Sequence, residues 1–560
     1  MNVPIQCAAV AWLFCGALDC IAQEADVSQR SHQTGRTPAV SAAGASIDGD
    51  WAGSLSVGSY WVFIKARIRM KENSPSVLID VPEEGVKSAP VGRLNVQSPK
   101  IRFEIQPAGW ERTLFDGELG EGSISGTIEY AGEKGAFQLF RVVPASARIR
   151  GQYVGNYGAG SRNISITRYD PGDGQTVLTY FDSKSGYWGL LYAESESTFR
   201  FAPTRVSSSP TDLQIAFARD RAGKVTGLHQ SQKNATSIFA RKTSTHTEEQ
   251  VGFQNGKVEL AGTLLLPRSA GPHPAMVIVH GSGAQTRNGS PSSPNYSRII
   301  AENFVRHGIA VLIYDKRGVG ASTGDWNRAS FDDLGNDALA GIGLLKSRSD
   351  INPQQIGFWG LSQAGWVMSS ATSRSSDIAY VMLLGGGGVT PAEQELYRRV
   401  KNLREAGFSG AEIEEAVTHQ KFKFDLVRRN KPESLATANE QAKNEKWFSY
   451  VSNPMSGESW LFWRNIINFD PLMFWEKFRR PILIVFGELD ESSPVPKSVA
   501  NLELALQKGG NKDYTIRVFP GANHGLLVKS NGNGGDYPHL AAGYLETMTE
   551  WLLKRVDVVK

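Results

Sequence analysis

The spacing of apolar residues along the chain falls into three regimes. From about residue 47 to 145, short segments alternate apolar and polar positions, as in Tyr60-Trp-Val-Phe-Ile-Lys-Ala-Arg-Ile-Arg and Lys100-Ile-Arg-Phe-Glu-Ile, with Gly, Pro and Asn between them. A period of two sends successive side chains to opposite faces of a strand, so this stretch predicts a small all-β domain. A second strand-rich stretch, 148 to 243, contains Thr176-Val-Leu-Thr-Tyr-Phe and Asp212-Leu-Gln-Ile-Ala-Phe-Ala-Arg and predicts another. Gly49-Asp-Trp-Ala-Gly-Ser-Leu loosely echoes Gly151-Gln-Tyr-Val-Gly-Asn-Tyr, which suggests a duplicated unit. Neither stretch carries recognisable chemistry, and their aromatics are read as core rather than as a glycan-binding face.

After about residue 247 the pattern becomes strand, loop, helix, strand. Val251-Gly-Phe-Gln-Asn-Gly-Lys-Val-Glu-Leu-Ala-Gly-Thr-Leu-Leu-Leu reads as a hairpin turning at Asn255-Gly256, a dipeptide that readily takes the left-handed backbone of a two-residue turn. Buried-type strands at 275–280, 309–314, 356–359, 380–384, 482–486 and 515–519 then alternate with helical stretches. That order predicts a mostly parallel sheet with helices on both sides in 247–560. The interval 391–478 breaks the alternation. It is helical and charged, with a capping-box pattern at Ser409-Gly-Ala-Glu412, and it is too long for a simple crossover, so it is read as a helical cap inserted over the sheet.

A length of 560 residues exceeds what one domain usually occupies, in keeping with several units. The 60 basic and 56 acidic residues are interspersed, which leaves no footprint for nucleic acid or an anionic membrane. Residues 5–22 form an apolar run ending in small residues, so 1–22 reads as a secretory signal peptide. Residues 23–46, rich in Ser, Ala, Gln and Gly, read as a flexible linker. The run lacks a leading Lys or Arg and Asp19 interrupts its end; an uncleaved anchor is the competing reading, although the run is short for a bilayer span. Cys7, Cys15 and Cys20 all lie inside it, so cleavage after Ala22 leaves a mature chain without thiols, free of disulfides and of cysteine catalysis. A secreted or periplasmic location is expected, with no stable membrane insertion once the signal is removed.

The strongest chemical signal is Ile356-Gly-Phe-Trp-Gly-Leu-Ser-Gln-Ala-Gly-Trp-Val-Met, an apolar run passing into a helix through Gly360-Leu361-Ser362-Gln363-Ala364-Gly365. A serine in such an elbow sits on a sharp turn that needs small neighbours and lifts its hydroxyl above the sheet edge. Ala364 stands where a second glycine is usual, and Gly365 follows. The elbow also puts Ser362 at a helix N-terminus, where backbone N–H groups favour a developing oxyanion. Upstream, Met276-Val-Ile-Val-His280-Gly281-Ser282-Gly283 is a run emptying into a glycine-bearing loop. Downstream, Pro481-Ile-Leu-Ile-Val-Phe-Gly-Glu-Leu-Asp490 ends on a carboxylate, and Thr515-Ile-Arg-Val-Phe-Pro-Gly-Ala-Asn-His524 on an imidazole. Serine becomes a competent nucleophile when an imidazole takes its proton and a buried carboxylate fixes the imidazole's tautomer. Ser362, Asp490 and His524 are therefore the candidate nucleophile, acid and base, with Glu488 as the competing acid. His280 is read as a brace for its loop, Asp332-Asp333 as helix capping, and His307, His419 and His539 as surface or packing residues. Gly385-Gly-Gly-Gly388 lacks the spacing of a dinucleotide fingerprint and reads as backbone passing close to the pocket. No His-Glu-x-x-His pattern points to a metal, and no cofactor is expected.

In combination and in order, His280-Gly-Ser-Gly, Tyr314-Asp-Lys-Arg-Gly-Val-Gly-Ala-Ser322, Gly360-Leu-Ser-Gln-Ala-Gly, Gly487-Glu-Leu-Asp490 and Asn523-His524-Gly resemble the α/β-hydrolase superfamily over about residues 250–560, in its serine esterase and prolyl-oligopeptidase-like branches. The resemblance implies an α/β-hydrolase fold there; with the two β-rich stretches and the helical interval read above, the expected architecture is multidomain, two small all-β domains followed by an α/β-hydrolase fold with a helical cap. It also implies that the backbone amides of Ser282 and Gln363 form the oxyanion hole, and that Asp315 and Arg317 are structural. The function it implies is an exported serine hydrolase cleaving a small-molecule ester, with a serine peptidase of the prolyl-oligopeptidase-like type as the alternative. A non-catalytic glycan- or partner-binding protein with a relic hydrolase domain is the second alternative.

Overall fold

The computed structural model describes residues 46–558 except 58–59, 72–73, 82–85, 107–111, 121, 131–132, 144–146, 170–176, 203–212, 233–234, 291–292, 452–456 and 529–538. The expected signal peptide, all three cysteines and all but the last residue of the expected linker lie outside the described residues.

Nine antiparallel strands between Gly49 and Val142 form one sheet, and its two edge strands, Val86–Pro90 and Gly92–Gln97, are consecutive in the chain with Val91 alone between them. Edges joined by one residue can meet only if the sheet curls, which wraps its inner face around Trp51, Ile64, Ile79, Phe115 and Phe137. Eight further strands, from Gly155 to Arg241, close into an antiparallel barrel filled by Tyr157, Tyr180, Phe199, Phe201 and Phe239. The suggested sequence echo does not mark equivalent positions. Gly49 opens a strand, whereas Gly151 lies in the helix Ala147–Tyr153 that precedes the barrel. A glycine beside an aromatic is compatible with either backbone, so the pattern alone could not discriminate.

The C-terminal part is built on an eight-stranded sheet. In chain order its strands are β1 (His246–Asn255), β2 (Val258–Pro267), β3 (His273–Val279), β4 (Ala310–Tyr314), β5 (Ile351–Leu361), β6 (Val381–Leu384), β7 (Ile482–Gly487) and β8 (Tyr514–Phe519). Their spatial order is β1-β2-β4-β3-β5-β6-β7-β8. The hairpin β1–β2 turns at Gly256-Lys257, one residue later than the expected Asn255-Gly256: Asn255 still pairs with Val258, and Gly256, free of a Cβ, takes the left-handed φ of +59° that opens the turn. From β4 to β8 every pairing is parallel. The unbroken apolar runs serve two cores. Val277, Leu312, Phe358, Leu383 and Ile484 face helices 331–346, 364–372 and 495–508, while Met276, Val311, Trp359, Met382 and Leu483 face helices 296–306 and 544–553. The runs in β3 to β7 thus bury their side chains, at roughly 1.5–3 kcal/mol for each large one. The expected buried strand at 515–519 departs from this: β8 is the edge of the sheet, its side chains are half-buried, and Arg517 and Val518 are exposed.

Because β3 lies between β4 and β5, the chain leaves it on one side and later returns on the other, which opens a crevice at the carboxyl ends of β3 and β5. Helices 391–405, 410–428, 432–442, 458–466 and 472–475 occupy the interval between β6 and β7, and Ser409 and Glu412 form the predicted capping box. The barrel docks on helix 296–306. Asn295 at that helix's N-cap donates to Thr167 Oγ1, Thr179 Oγ1 and the Arg168 carbonyl, Ser165 Oγ donates to buried Glu302 at 2.7 Å, and the rings of Trp188 and Tyr296 lie 5.5 Å apart.

Candidate active site

The candidate residues all stand just past the carboxyl ends of sheet strands: Ser282 after β3, Ser362 and Gln363 after β5, Asp490 after β7 and His524 after β8. Ser362 adopts φ +63°, a left-handed backbone that costs a non-glycine residue on the order of 1–3 kcal/mol. Its N–H donates to the Leu384 carbonyl at 2.8 Å and its carbonyl accepts from Gly365 at 2.9 Å, which pins the turn between β6 and helix 364–372. The role of small residues here is steric. A methyl on Gly360 would collide with that of Ala364, so this pair has room for one methyl group. A Cβ on Gly365 would stand 2.7 Å from Leu383 Cδ1 and 2.8 Å from the Gly387 nitrogen. Ala364 therefore replaces glycine without loss at a place where Gly360 already makes room, and close approach is needed at Gly365.

Asp490 and His524 are in direct contact. The imidazole Nδ1 lies 2.9 Å from both Asp490 Oδ1 and Oδ2, with both residues buried. Asp490 Oδ1 also accepts the Ser492 and Ser493 backbone N–H groups at 2.8 and 2.7 Å, which aims the carboxylate. With Nδ1–H held by the carboxylate, Nε2 is the nitrogen that can accept a proton. Burial works to lower the His524 pKa, but the Asp490 charge and hydrogen bond, helped by Glu491, outweigh it and raise the pKa above its ordinary value. Glu488, the competing acid, is exposed and accepts the Gly521 N–H, away from the imidazole, while Glu491 accepts the His524 backbone N–H at 3.2 Å. Asn523 Oδ1 accepts from Gly525 and Leu527, both at 3.0 Å, and so shapes the loop that presents the histidine.

Ser362 and His524 converge on the Gly385-Gly386 turn. A Cβ on Gly385 would lie 3.3 Å from the imidazole, and one on Gly386 would lie 3.1 Å from Ser362 Cα. Two adjacent residues without side chains thus let both close in on the same point. Ser493, which the sequence reading passed over, locks that turn to the acid's loop, its Oγ donating to the Gly385 carbonyl at 2.8 Å.

The oxyanion candidates are joined by Lys316, a residue inside the Tyr314–Ser322 motif to which the sequence assigned no role beside its neighbours Asp315 and Arg317. Lys316 is buried, and its ammonium donates to the Gly281 carbonyl at 2.9 Å, the Gly283 carbonyl at 3.0 Å and Gln363 Oε1 at 2.9 Å. Burial pulls its pKa down to about 7. Among the described residues the backbone N–H groups of Ser282 and Gln363 donate to no protein acceptor. His280 Nε2 contacts the Tyr314 carbonyl at 2.6 Å, and burial lowers its pKa to about 4, so the ring is neutral and braces the loop. Asp315 and Arg317 are spent on ion pairs with Arg287 and Asp337. His307 caps its own helix through the Asn303 carbonyl, His419 packs near Trp447 and His539 near Tyr187. Asp333 completes a capping box with Ser330.

The helical interval approaches the same edge. Tyr397 OH reaches the Asp490 carbonyl at 3.4 Å, Ser493 Oγ lies 3.3 Å from Gln394 Oε1, and Trp475 Nε1 donates to the Gly387 carbonyl at 3.1 Å. No described helix is long and apolar enough to cross a membrane.

Residues 274–529, which include every candidate site residue, match the family model described as alpha/beta hydrolase fold. The chain is 24% identical to Esterase EstD of Thermotoga maritima over 351 residues, 61% of this chain and 77% of that protein. It is 33% identical to Thiohydrolase aneE of Aspergillus aculeatus over 110 residues, 19% of this chain and 31% of that one. Among solved structures, the alpha/beta hydrolase GrgF from Penicillium sp. sh18 superposes with a TM-score of 0.37 at 19% identity, covering 55% of this chain and 99% of its own.

Proposed function

The C-terminal part of this chain belongs to the α/β-hydrolase superfamily, and from that premise we propose that the protein is a serine hydrolase cleaving carboxylic esters through an acyl-enzyme. The observation that carries the reading is the buried Asp490–His524 pair, 2.9 Å from carboxylate to Nδ1, on the glycine turn that Ser362 also abuts.

In this reading His524 Nε2 takes the Ser362 hydroxyl proton as Oγ attacks the ester carbonyl carbon. The carbonyl π electrons move to oxygen, and the resulting oxyanion accepts the Ser282 and Gln363 N–H groups. As the tetrahedral adduct collapses, the C–O bond to the alcohol breaks and His524 returns the proton to the leaving alkoxide. Water then repeats the sequence on the acyl-enzyme: His524 takes its proton, the acid leaves, and Ser362 recovers its hydrogen. Asp490 keeps the imidazole in the right tautomer and stabilises the imidazolium in each half. The name of its relative, Esterase EstD, supports ester over amide. The helices of 391–478 set which acyl or alcohol group is accepted, because they lie against the loops that carry Asp490 and the glycine turn. Export rests on the apolar run 5–22, and cell fractionation of the full-length chain tests it.

The deciding experiment is a series of p-nitrophenyl esters of increasing acyl length beside aminoacyl and prolyl amides, run on wild type and Ser362→Ala, with fluorophosphonate labelling in parallel. Ester turnover lost by at least about 10⁵-fold in Ser362→Ala, with labelling at Ser362, is the expected result. Amide turnover without ester turnover would replace the esterase reading by the peptidase one, and folded wild type that neither labels nor turns over would remove both.

A further inference from the structure

Lys316 is a residue whose placement the reaction scheme above does not use. It stands two residues past β4, is 2% exposed, and pairs with no carboxylate, because Asp315 is engaged by Arg287 and Asp337 by Arg317. A buried ammonium without a carboxylate partner is costly, so a fold that keeps one must gain from it elsewhere. We infer that Lys316 is a positioning residue that aims the Ser282 amide, ties its loop to the side chain of Gln363 and, as an ammonium, places positive charge behind the oxyanion site, a role resting on the hydrolase reading above.

The argument starts from the planarity of the peptide unit. In a trans peptide the C=O of one residue and the N–H of the next point in opposite directions. The Gly281 carbonyl points at Lys316 Nζ, so the Ser282 N–H, which shares its peptide plane, points away from the ammonium. The next two carbonyls are also fixed: Ser282 O accepts from Gln285 Nε2 at 2.9 Å, and Gly283 O accepts from the same Nζ. The Lys316 backbone N–H closes the loop from below by donating to the Gln285 carbonyl at 3.0 Å. The Ser282 amide therefore cannot turn over without breaking the bond from Nζ to the Gly281 carbonyl, and the bonds to the next two carbonyls hold the loop in which it sits.

The third N–H of the ammonium goes to Gln363 Oε1, and Gln363 supplies the other amide. One side chain therefore couples the loop after β3 to the elbow after β5, two segments that only the tertiary fold brings together. Three acceptors at 2.9–3.0 Å match the three donors of an ammonium, and no other side chain offers three convergent N–H groups from a single atom. The Trp326 ring, 5.2 Å from Nζ, covers a further side of it and favours positive charge there. While the ammonium holds its proton, an anion forming at the amides would meet a low-dielectric surround with positive charge already in place, and it would need no reorganisation to feel it.

The test uses the full-length protein and three variants, Lys316→Met, Gln363→Met and the double. Methionine at 316 keeps the stem and removes the ammonium; at 363 it removes Oε1 and leaves the backbone N–H. Steady-state turnover of a p-nitrophenyl ester and inhibition by an aryl trifluoromethyl ketone, which forms a tetrahedral adduct with the serine, are measured on each, with near-UV circular dichroism as the check on folding. Lys316→Met is expected to lower kcat about 30–100-fold with KM within about threefold, and to weaken the ketone by a similar factor. Gln363→Met is expected to lose about 5–10-fold, and the double variant no more than Lys316→Met, because both break one clasp. Lys316→Met with wild-type kcat and ketone affinity would overturn the inference, as would losses that multiply in the double variant. Should Lys316→Met not fold, Gln363→Met decides, and unchanged ketone affinity there is the overturning result. Failure of wild type itself to turn over ester would sink the hydrolase reading; wild-type turnover matched by Lys316→Met sinks the clasp alone.

Discussion

The two sides of the pocket are built from opposite chemistry. On the side of β7 and β8, carboxylates collect N–H groups: Asp490 gathers those of Ser492, Ser493 and the His524 ring, and Glu491 takes the His524 backbone N–H. On the side of β3 and β5, an ammonium collects oxygens: Lys316 gathers the carbonyls of Gly281 and Gly283 and the amide oxygen of Gln363. In the proposed reaction positive charge develops on the imidazole and negative charge on the substrate oxygen, so each side carries a fixed charge opposite to the one expected beside it. The contrast teaches that such a site can be charged in advance by side chains that never touch the substrate, provided each is satisfied by hydrogen bonds that also aim its neighbours.

The comparison breaks most sharply at Asp490. Asp490→Asn keeps the shape but offers an N–H where a carboxylate oxygen received one, which favours the wrong imidazole tautomer. A loss of about 10³–10⁴ in kcat is expected, measured on the best p-nitrophenyl ester. A smaller effect should appear in the pH profile. His524 must be neutral to accept a proton and its pKa is raised, so kcat/KM should climb with pH, about tenfold per unit on the acid side, toward a midpoint above the ordinary value of about 6.5, and loss of the Lys316 proton, whose pKa burial draws down to about 7, should bend the profile down again on the alkaline side. In Asp490→Asn the midpoint should move down. The linked stability has the opposite slope: the pair's contribution through His524 is full below the unfolded pKa and is lost as pH rises through the raised folded one, which urea titrations across that window would read.

Ser493→Ala should cost less, about 3–10-fold in kcat with a Tm lower by a few degrees, because it frees the Gly385 carbonyl from the acid's loop but leaves Asp490 its backbone donors. The smallest expected effect sharpens the comparison by its absence. Glu488→Gln should leave kcat/KM within about twofold, since its carboxylate serves the Gly521 amide and not the imidazole. A large loss there would reassign the acid.

Strand positions were legible because their cause is local. Runs such as Met276 to Val279 and Ile482 to Phe486 are apolar at every step, and a strand covered on both faces requires that whatever its partners. The β1–β2 hairpin, to within one residue of its turn, and the Ser409–Glu412 cap were legible for the same reason, as each involves residues a few positions apart. The echo between Gly49 and Gly151 misled because a glycine beside an aromatic does not specify a backbone. In the site, Ser362, Asp490 and His524 stood out because each follows an apolar run in an order one superfamily shares, a signal of chain order and not of distance.

From its own residues, then, the chain determined where strands begin, which turns are tight and which side chains could do acid, base or nucleophilic work, since those properties depend on neighbours a few positions away. Folding decided what Lys316 does. Its three acceptors come from residues 35, 33 and 47 positions distant, so in the sequence it is one more charged residue in a polar turn. Only when the loops after β3 and β5 close over it does burial strip away its water, leaving those oxygens as the groups that replace it.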